Sequence, residues 1–552
     1  MSFSKYIFLD FDGPLNTGRS EYLDPERYGH HFDDLAVRNL RKIINATGAQ
    51  IVVSSSWKHL GLDKLLEMWS NWGLPGQIIG CTPGGWDDSR LFNTRGEEIR
   101  QWLSENAEGE YAYVVIDDIV ENEMAAGQEH NWIEIDPHCG ISYDDAELAI
   151  KILNRNDPVI RKRKRRTMLT VLIIVSALVL GRILWVIIAT RNIGSFETEK
   201  KELLARRDFL IEKVIVSPEK LIDEMPAAVG PQFQGEWAIY SCSMLSAALL
   251  NLSILYPETA NKARACIDSL VRIVLSKEMR SYDTARWGED ALETLDGDHG
   301  HISYLSHLAW VIEGYKRVGG GNQYDTLLED ICETMDRRIR KSSSMNVQTY
   351  PEEPVYVPDM MVAIVALKNY PLQRERYDTT VFHWLRYMQG LGTDQKTGIM
   401  KNIIPADDSW LIESHIKPVG SYSALSTYYL TLIDKDYAKQ QYELFRSLFL
   451  KRFPTVGFRE RLNKEPGYNY YIDSGPVIFG LSPTGTAFGI GPCTYFEDFA
   501  LRRKLLRTAE LAGHSVTLKG KTHYLLADIA LVGEAITLAM RTAVPWDQVH
   551  DQ

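Results

Sequence analysis

A chain of 552 residues exceeds what one ordinary hydrophobic core organises, so two or three domains are expected. An apolar fraction of 45% is that of a globular protein, and a net charge of −12 argues against a general nucleic-acid binder while leaving room for a local basic site. Six cysteines without a CxxC pair argue against a disulfide framework and a zinc module, so Cys81, Cys139, Cys242, Cys266, Cys332 and Cys493 are expected as small apolar packing residues.

The first element is "KYIFLDFDGPL", residues 5 to 15, an apolar strand that ends on Asp10 and Asp12. Burying two carboxylates beside such a strand costs several kcal/mol unless a cation lies between them. A helix, "FDDLAVRNLRKIINATG", leads to a second strand, "AQIVVSSSW", and "LDKLLEMWSNWG" and "RGEEIRQWLSENAEG" are further helices. A third strand, "YAYVVIDDI", again ends on two acids, Asp117 and Asp118. Strands separated by helices imply a parallel sheet, whose sites form at the carboxyl ends of the strands. Four carboxylates at one sheet edge repel each other, and a hard, oxygen-preferring cation such as Mg²⁺ relieves that repulsion and grips a phosphate. An ionised aspartate can then attack phosphorus while a second, two residues on, moves the proton. The hydroxyl of Ser54 and the charge of Arg95 would hold the phosphoryl oxygens.

These segments resemble the haloacid dehalogenase-like (HAD) phosphohydrolases over about the first quarter of the chain. "DFDG" is similar to the family's first motif, which implies Asp10 as nucleophile and Asp12 as general acid/base. "IVVSSSW" is similar to the second, with Ser54 as the phosphate-binding hydroxyl and Ser55 as its rival. "VVIDDI" is similar to the fourth. The implied metal ligands for Mg²⁺ are Asp10, Asp12, Asp117 and Asp118. The family's third motif offers a lysine where the best match here is Arg95, and Pro14 replaces the usual threonine or small aliphatic residue. Short spacings leave no room for a large cap domain, which favours a phosphorylated macromolecule over a small sugar phosphate. "SSSWKHLGLDKLLEMW" resembles small HAD domains found near nucleic-acid repair enzymes. His30 and His31 are read as polar-loop residues, and Trp57 and Trp86 as packing residues.

After this α/β domain, residues 1–155, comes a basic juxtamembrane segment, 156–166, with the run "RKRKRR". "TMLTVLIIVSALVLGRILWVII" follows, and is long enough to cross a bilayer; the transmembrane helix is placed at 167–190. The positive-inside rule puts the N-terminal domain in the cytoplasm and the rest outside, periplasmic or extracellular. Arg182 either snorkels to the far interface or is a functional intramembrane charge. Ser176, Ala177 and Gly181 would permit pairing of spans in a homo-oligomer.

A linker or helical stalk is expected at 191–230 and an all-α domain at 231–552, where long apolar helical runs follow one another. The inference is an α/α toroid, so the whole chain is multidomain: an α/β three-layer HAD-like domain, one transmembrane helix and the toroid. Loops such as "SYDTARWGED" and "DGDHGHISYLSHL" would line a central pocket. Asp283, His299, His301, Asp359 and Asp473 are the pocket candidates, with Trp287, Trp410 and Tyr468 as aromatic neighbours. For Asp359 and Asp473 a capping role is the competing reading. The glycines from Gly480 to Gly491 serve either a ligand or close helix packing. This half resembles membrane-anchored α/α six-hairpin proteins and, more distantly, linalool dehydratase-isomerase. Three functions stay open: a membrane-anchored Mg²⁺-dependent phosphatase fused to a toroid of unknown ligand, an envelope-ligand sensor with a degenerate HAD domain, or a toroid that processes glycans or terpenoids.

Overall fold

The computed structural model describes residues 3–23, 32–84, 94–406, 417–463, 468–471, 474–528 and 530–546. The N-terminal elements are β1 (Ser4–Leu9), α1 (Gly18–Leu23), α2 (Asp34–Thr47), β2 (Gln50–Val53), α3 (Leu62–Asn71), β3 (Ile78–Cys81), α4 (Arg95–Asn106), β4 (Tyr111–Asp117), β5 (Trp132–Glu134) and α5 (Tyr143–Asn154). The strands form one parallel sheet in the order β3-β2-β1-β4-β5. Alternation along each strand feeds two cores. Ile7, Leu9, Ile51, Val53, Val114 and Ile116 meet Leu40 and Ile43 of α2 and Ala149 and Leu153 of α5 on one face. Tyr6, Phe8, Val52 and Val115 meet Ile99, Trp102 and Leu103 of α4 on the other. This is a three-layer α/β unit, and truncating a buried Leu40 to alanine would cost about 2–5 kcal/mol. The edge strands β3 and β5 and helix α5 extend the expected set.

Helix α6 (Pro158–Ala189) is followed by α7 (Phe196–Val214), α8 (Pro218–Asp223), α9 (Gly230–Leu255), α10 (Ala260–Val274), α11 (Lys277–Trp287), α12 (Ile302–Arg317), α13 (Asp325–Lys341), α14 (Val357–Lys368), α15 (Asp378–Gln389), α16 (Gly420–Thr431), α17 (Lys435–Phe449), α18 (Pro483–Tyr495), α19 (Phe499–Gly513) and α20 (Leu531–Arg541). The chain divides into two units, Met1–Leu178 and Val179–Gln552. In the second, α9, α12, α14, α16, α18 and α20 are buried along most of their length. They pack in sequence, α9 on α12, α12 on α14, α14 on α16, α16 on α18 and α18 on α20, and α20 returns to α9. The helices between them are amphipathic: α10 buries Ala263, Ile267, Leu270, Val271 and Val274 on one stripe.

Two segments read as loops are helices. The first is α11, whose polar sequence hides its buried Met279, Tyr282 and Asp283. The second is α18, where the packing reading of the glycines holds: a Cβ on Gly489 would meet the Phe458 ring at 2.5 Å, and one on Gly491 would meet Met540 Sδ at 2.5 Å.

The segment expected as a stalk is joined to the helical unit by a buried ion network. Glu199 of α7 accepts hydrogen bonds from Arg502 (2.5 and 2.8 Å) and Arg541 (2.9 Å), Glu202 takes Arg541 and Arg206, and Arg206 reaches Glu534 at 2.6 Å. Burial opposes ionisation of Glu199, but Arg541 and Arg502 hold it below the usual carboxylate range.

Among the described residues, two helices are long and apolar enough to cross a membrane, Pro158–Ala189 and Ala227–Leu255, with 6% and 78% of their apolar windows buried. Arg182 has partners that the sequence did not announce. Its Nη2 donates to the carbonyls of Glu510 (2.7 Å) and Leu511 (2.9 Å), at the carboxyl end of α19, and its Nη1 meets His514. A guanidinium there satisfies orphan carbonyls and complements the helix dipole. Trp185 stacks on the His514 ring at 5.4 Å.

Candidate active site at the sheet edge

Strand register builds the site. Leu9 pairs with Val53 on one side and with Ile116 on the other, so the next residues, Asp10, Ser54 and Asp117, stand in one row at the carboxyl edge. Helix α4 starts at Arg95 because Thr94 and Glu97 form a capping box. That start aims the guanidinium at the row: Arg95 Nε lies 3.0 Å from Asp117 Oδ2, and Nη2 lies 3.9 Å from Asp10 Oδ2.

Oxygens of Asp10, Asp117 and Asp118 lie within 4.8 Å of one another. Burial pushes Asp10 upward against the pull of Arg95, and Asp118 also lies above the usual range, through burial and the charge of Asp10. Asp117 is raised to about 7 by burial, with Arg95 opposing and Asp10 and Asp118 adding to the rise. Although Arg95 is close, Asp117 Oδ2 accepts no hydrogen bond among the described residues. An all-oxygen donor set with a buried, unspent lone pair fits a hard divalent cation such as Mg²⁺. Gly13 makes the approach possible: its φ is +85°, and a Cβ there would lie 2.6 Å from Asp118 Oδ2.

Of the four acids expected to hold the metal, Asp12 has its carboxylate outside the three-residue cluster. It is exposed, and it accepts hydrogen bonds from Trp57 Nε1 (2.9 Å) and Asn16 Nδ2 (3.0 Å). Trp57 is therefore more than the packing residue it was read as; its ring also meets Phe11 edge-on at 5.7 Å. The two serines separate. Ser54 Oγ is buried without a hydrogen-bond partner among the described residues, whereas Ser55 donates to Asp10 and caps a short 3-10 turn. The nearby Lys58 is held by Glu98 (2.6 Å) and Thr82 (3.2 Å). Between Asp12 and Ser54 the described residues form α1, α2 and β2, with no inserted domain among them. His30, His31 and Trp86 lie outside the described residues.

In the helical unit, Asp283 and His301 come together at 2.5 Å, both fully buried. Burial raises Asp283 while the bond from His301 pulls it down. His299 Nδ1 lies 2.9 Å and His301 Nε2 lies 3.3 Å from Glu289 Oε1. Glu289 escaped the sequence reading because it sits in a polar loop with no pattern tying it to the histidines. Asp359 lies in the first turn of α14 and accepts from Tyr240 and Thr349, each at 3.3 Å, so it links that turn to α9. Tyr350 donates to Glu236, a pair the sequence did not announce. Asp473 and Trp410 lie outside the described residues. Tyr468 is exposed, and Trp287 stacks on His299 at 5.3 Å.

Residues 6–146 match the family model described as the HAD domain in Swiss Army Knife RNA repair proteins. That match and the five-stranded parallel sheet support a HAD-like domain over this segment. No curated protein matches the chain.

Proposed function

We propose that the N-terminal unit is a Mg²⁺-dependent phosphohydrolase and that α6 anchors it in a membrane. The observation that carries this reading is the single row of Asp10, Ser54 and Asp117 facing Arg95, with an unspent carboxylate oxygen and an unspent hydroxyl. Asp10 attacks phosphorus and forms an aspartyl phosphate as the leaving oxygen departs. Asp12 protonates that oxygen and then takes a proton from the water that hydrolyses the intermediate. Its exposure lets it exchange protons with solvent, and Trp57 orients it. Ser54 Oγ and Arg95 hold the phosphoryl oxygens as charge develops. Bound Mg²⁺, held by Asp10, Asp117 and Asp118, would neutralise phosphate charge.

The open edge favours a large substrate, and the RNA-repair context of the matching family makes a phosphorylated polynucleotide end the first class to test. The near-complete exposure of the apolar window in α6 supports its assignment as the span, and the burial of the Ala227–Leu255 window supports a core role there. Arg161–Arg166 before the span support a cytoplasmic N-terminal unit. The cyclic packing of the six buried helices supports an α/α toroid.

The test is Mg²⁺-dependent phosphate release by the detergent-solubilised chain from an aryl phosphate and from end-phosphorylated oligonucleotides, with Asp10→Asn as control. Release that disappears in Asp10→Asn is expected. Equal release by both proteins, or none from a folded chain that binds Mg²⁺, would leave the domain without this chemistry and favour the sensor reading.

A further inference from the structure

His301, the residue just before α12, has left-handed backbone geometry (φ 47°, ψ 23°), uncommon for a residue with a side chain. Its imidazole lies 5.2 Å from the Trp287 ring, and Nδ1 sits 2.5 Å from Asp283 Oδ2. A buried carboxylate on Nδ1 takes the proton there, which leaves Nε2 as a lone pair. That lone pair lies 3.3 Å from Glu289 Oε1, and His299 Nδ1 lies 2.9 Å from the same oxygen. A free Nε2 and a carboxylate oxygen at that distance present two donor atoms to one point.

The spacing is that of shared coordination. Donor atoms each about 2.1 Å from one ion lie roughly 3–3.5 Å apart, and the three donors of Glu289, His299 and His301 all lie within 4.8 Å of one another. Asp283 behind His301 supplies the carboxylate–histidine pairing that orients metal-bound imidazoles. Its other oxygen, Oδ1, is buried without a hydrogen-bond partner among the described residues. The His299 side chain is 56% exposed, so the cluster opens to solvent.

We propose that Glu289, His299 and His301 form a second metal site, in the helical unit, that binds a borderline divalent transition ion of the Zn²⁺ type, with Asp283 positioning His301. Two imidazoles and one carboxylate select such an ion over Mg²⁺, which the all-oxygen cluster at the sheet edge suits. The solvent-facing side would leave room for a water or an anionic ligand.

The experiment is a titration of the chelator-stripped full chain with Zn²⁺ by calorimetry, in excess Mg²⁺ to occupy the N-terminal carboxylates, and with Co²⁺ by its visible absorption. One equivalent should bind, and Co²⁺ should give the bands of a nitrogen- and oxygen-ligated ion. His301→Ala should weaken binding at least 100-fold, and Asp283→Asn about 10–100-fold. Because His301 and Asp283 are buried, the exposed His299→Ala keeps the result readable if those variants unfold; it should weaken binding at least tenfold with the far-ultraviolet circular dichroism unchanged. Absence of a stoichiometric Zn²⁺ site in the parent chain, or binding unchanged by His299→Ala, would overturn the proposal.

Discussion

The sheet edge and the loop before α12 both gather acids, and they do so by different means. At the sheet edge, parallel pairing puts Asp10, Ser54 and Asp117 in one row, so three positions far apart in sequence converge because their strands share a register. Before α12, Glu289, His299 and His301 converge through loop geometry and one left-handed residue, which no pairing rule dictates. A sheet converts sequence pattern into site geometry, whereas a loop between helices needs the folded neighbours to define it.

The sharpest way to break the comparison is Asp10→Asn. If the row is the reacting centre, Mg²⁺-dependent phosphate release should fall by about 10⁴-fold or more, with the thermal unfolding of the chain little changed. In the helical unit the largest expected effect is structural: Arg541→Ala leaves Glu199 and Glu202 short of their buried partner and should cost about 3–5 kcal/mol, read by chemical denaturation. Ser54→Ala should lower turnover by about 10²-fold, because it removes one donor to the developing charge; Ser55→Ala should act instead through Asp10 and shift the pH profile. A smaller effect, about tenfold on turnover, is expected from Trp57→Phe, which removes the hydrogen bond to Asp12.

The two clusters should also differ in proton linkage. Asp117 is raised from 3.8 to about 7 in the metal-free protein, so the folded state holds a proton that the unfolded state has released. That contribution to stability is complete below the unfolded value and is lost as pH rises through about 7. Mg²⁺ competes with the same proton, so its affinity should climb with pH up to about 7 and flatten above it, with proton release on binding. Mg²⁺ titrations at several pH values read this directly; an affinity independent of pH between 5 and 8 would contradict it.

The central strands were legible because "YIFL", "IVV" and "YVVID" are unbroken apolar runs, and the polar residues at their ends mark the candidate site. The edge strands went unread: β3 carries a glycine and is buried only at alternate positions, and β5 has three residues. That Asp12 points to Trp57 rather than into the cluster is a side-chain fact that a DxD spacing does not hold. In α18 the density of glycine and proline resembles a loop, and only the nearness of Phe458 and Met540 explains it. The partner of the two histidines, Glu289, is recognisable only once α11 is known to be a helix that brings Asp283 beneath His301.

The bond between Arg182 and the last carbonyls of α19 bears on depth. In the membrane-spanning reading, the helix rises roughly 22 Å between Thr167 and Arg182, less than the bilayer core of about 30 Å. The end of α19 is fixed to that level of the helix, and Leu511, Leu518, Leu525 and Leu526 are exposed in the same carboxyl-terminal stretch. If α6 spans a bilayer, that bond sets the level along the helix at which the end of α19 is held.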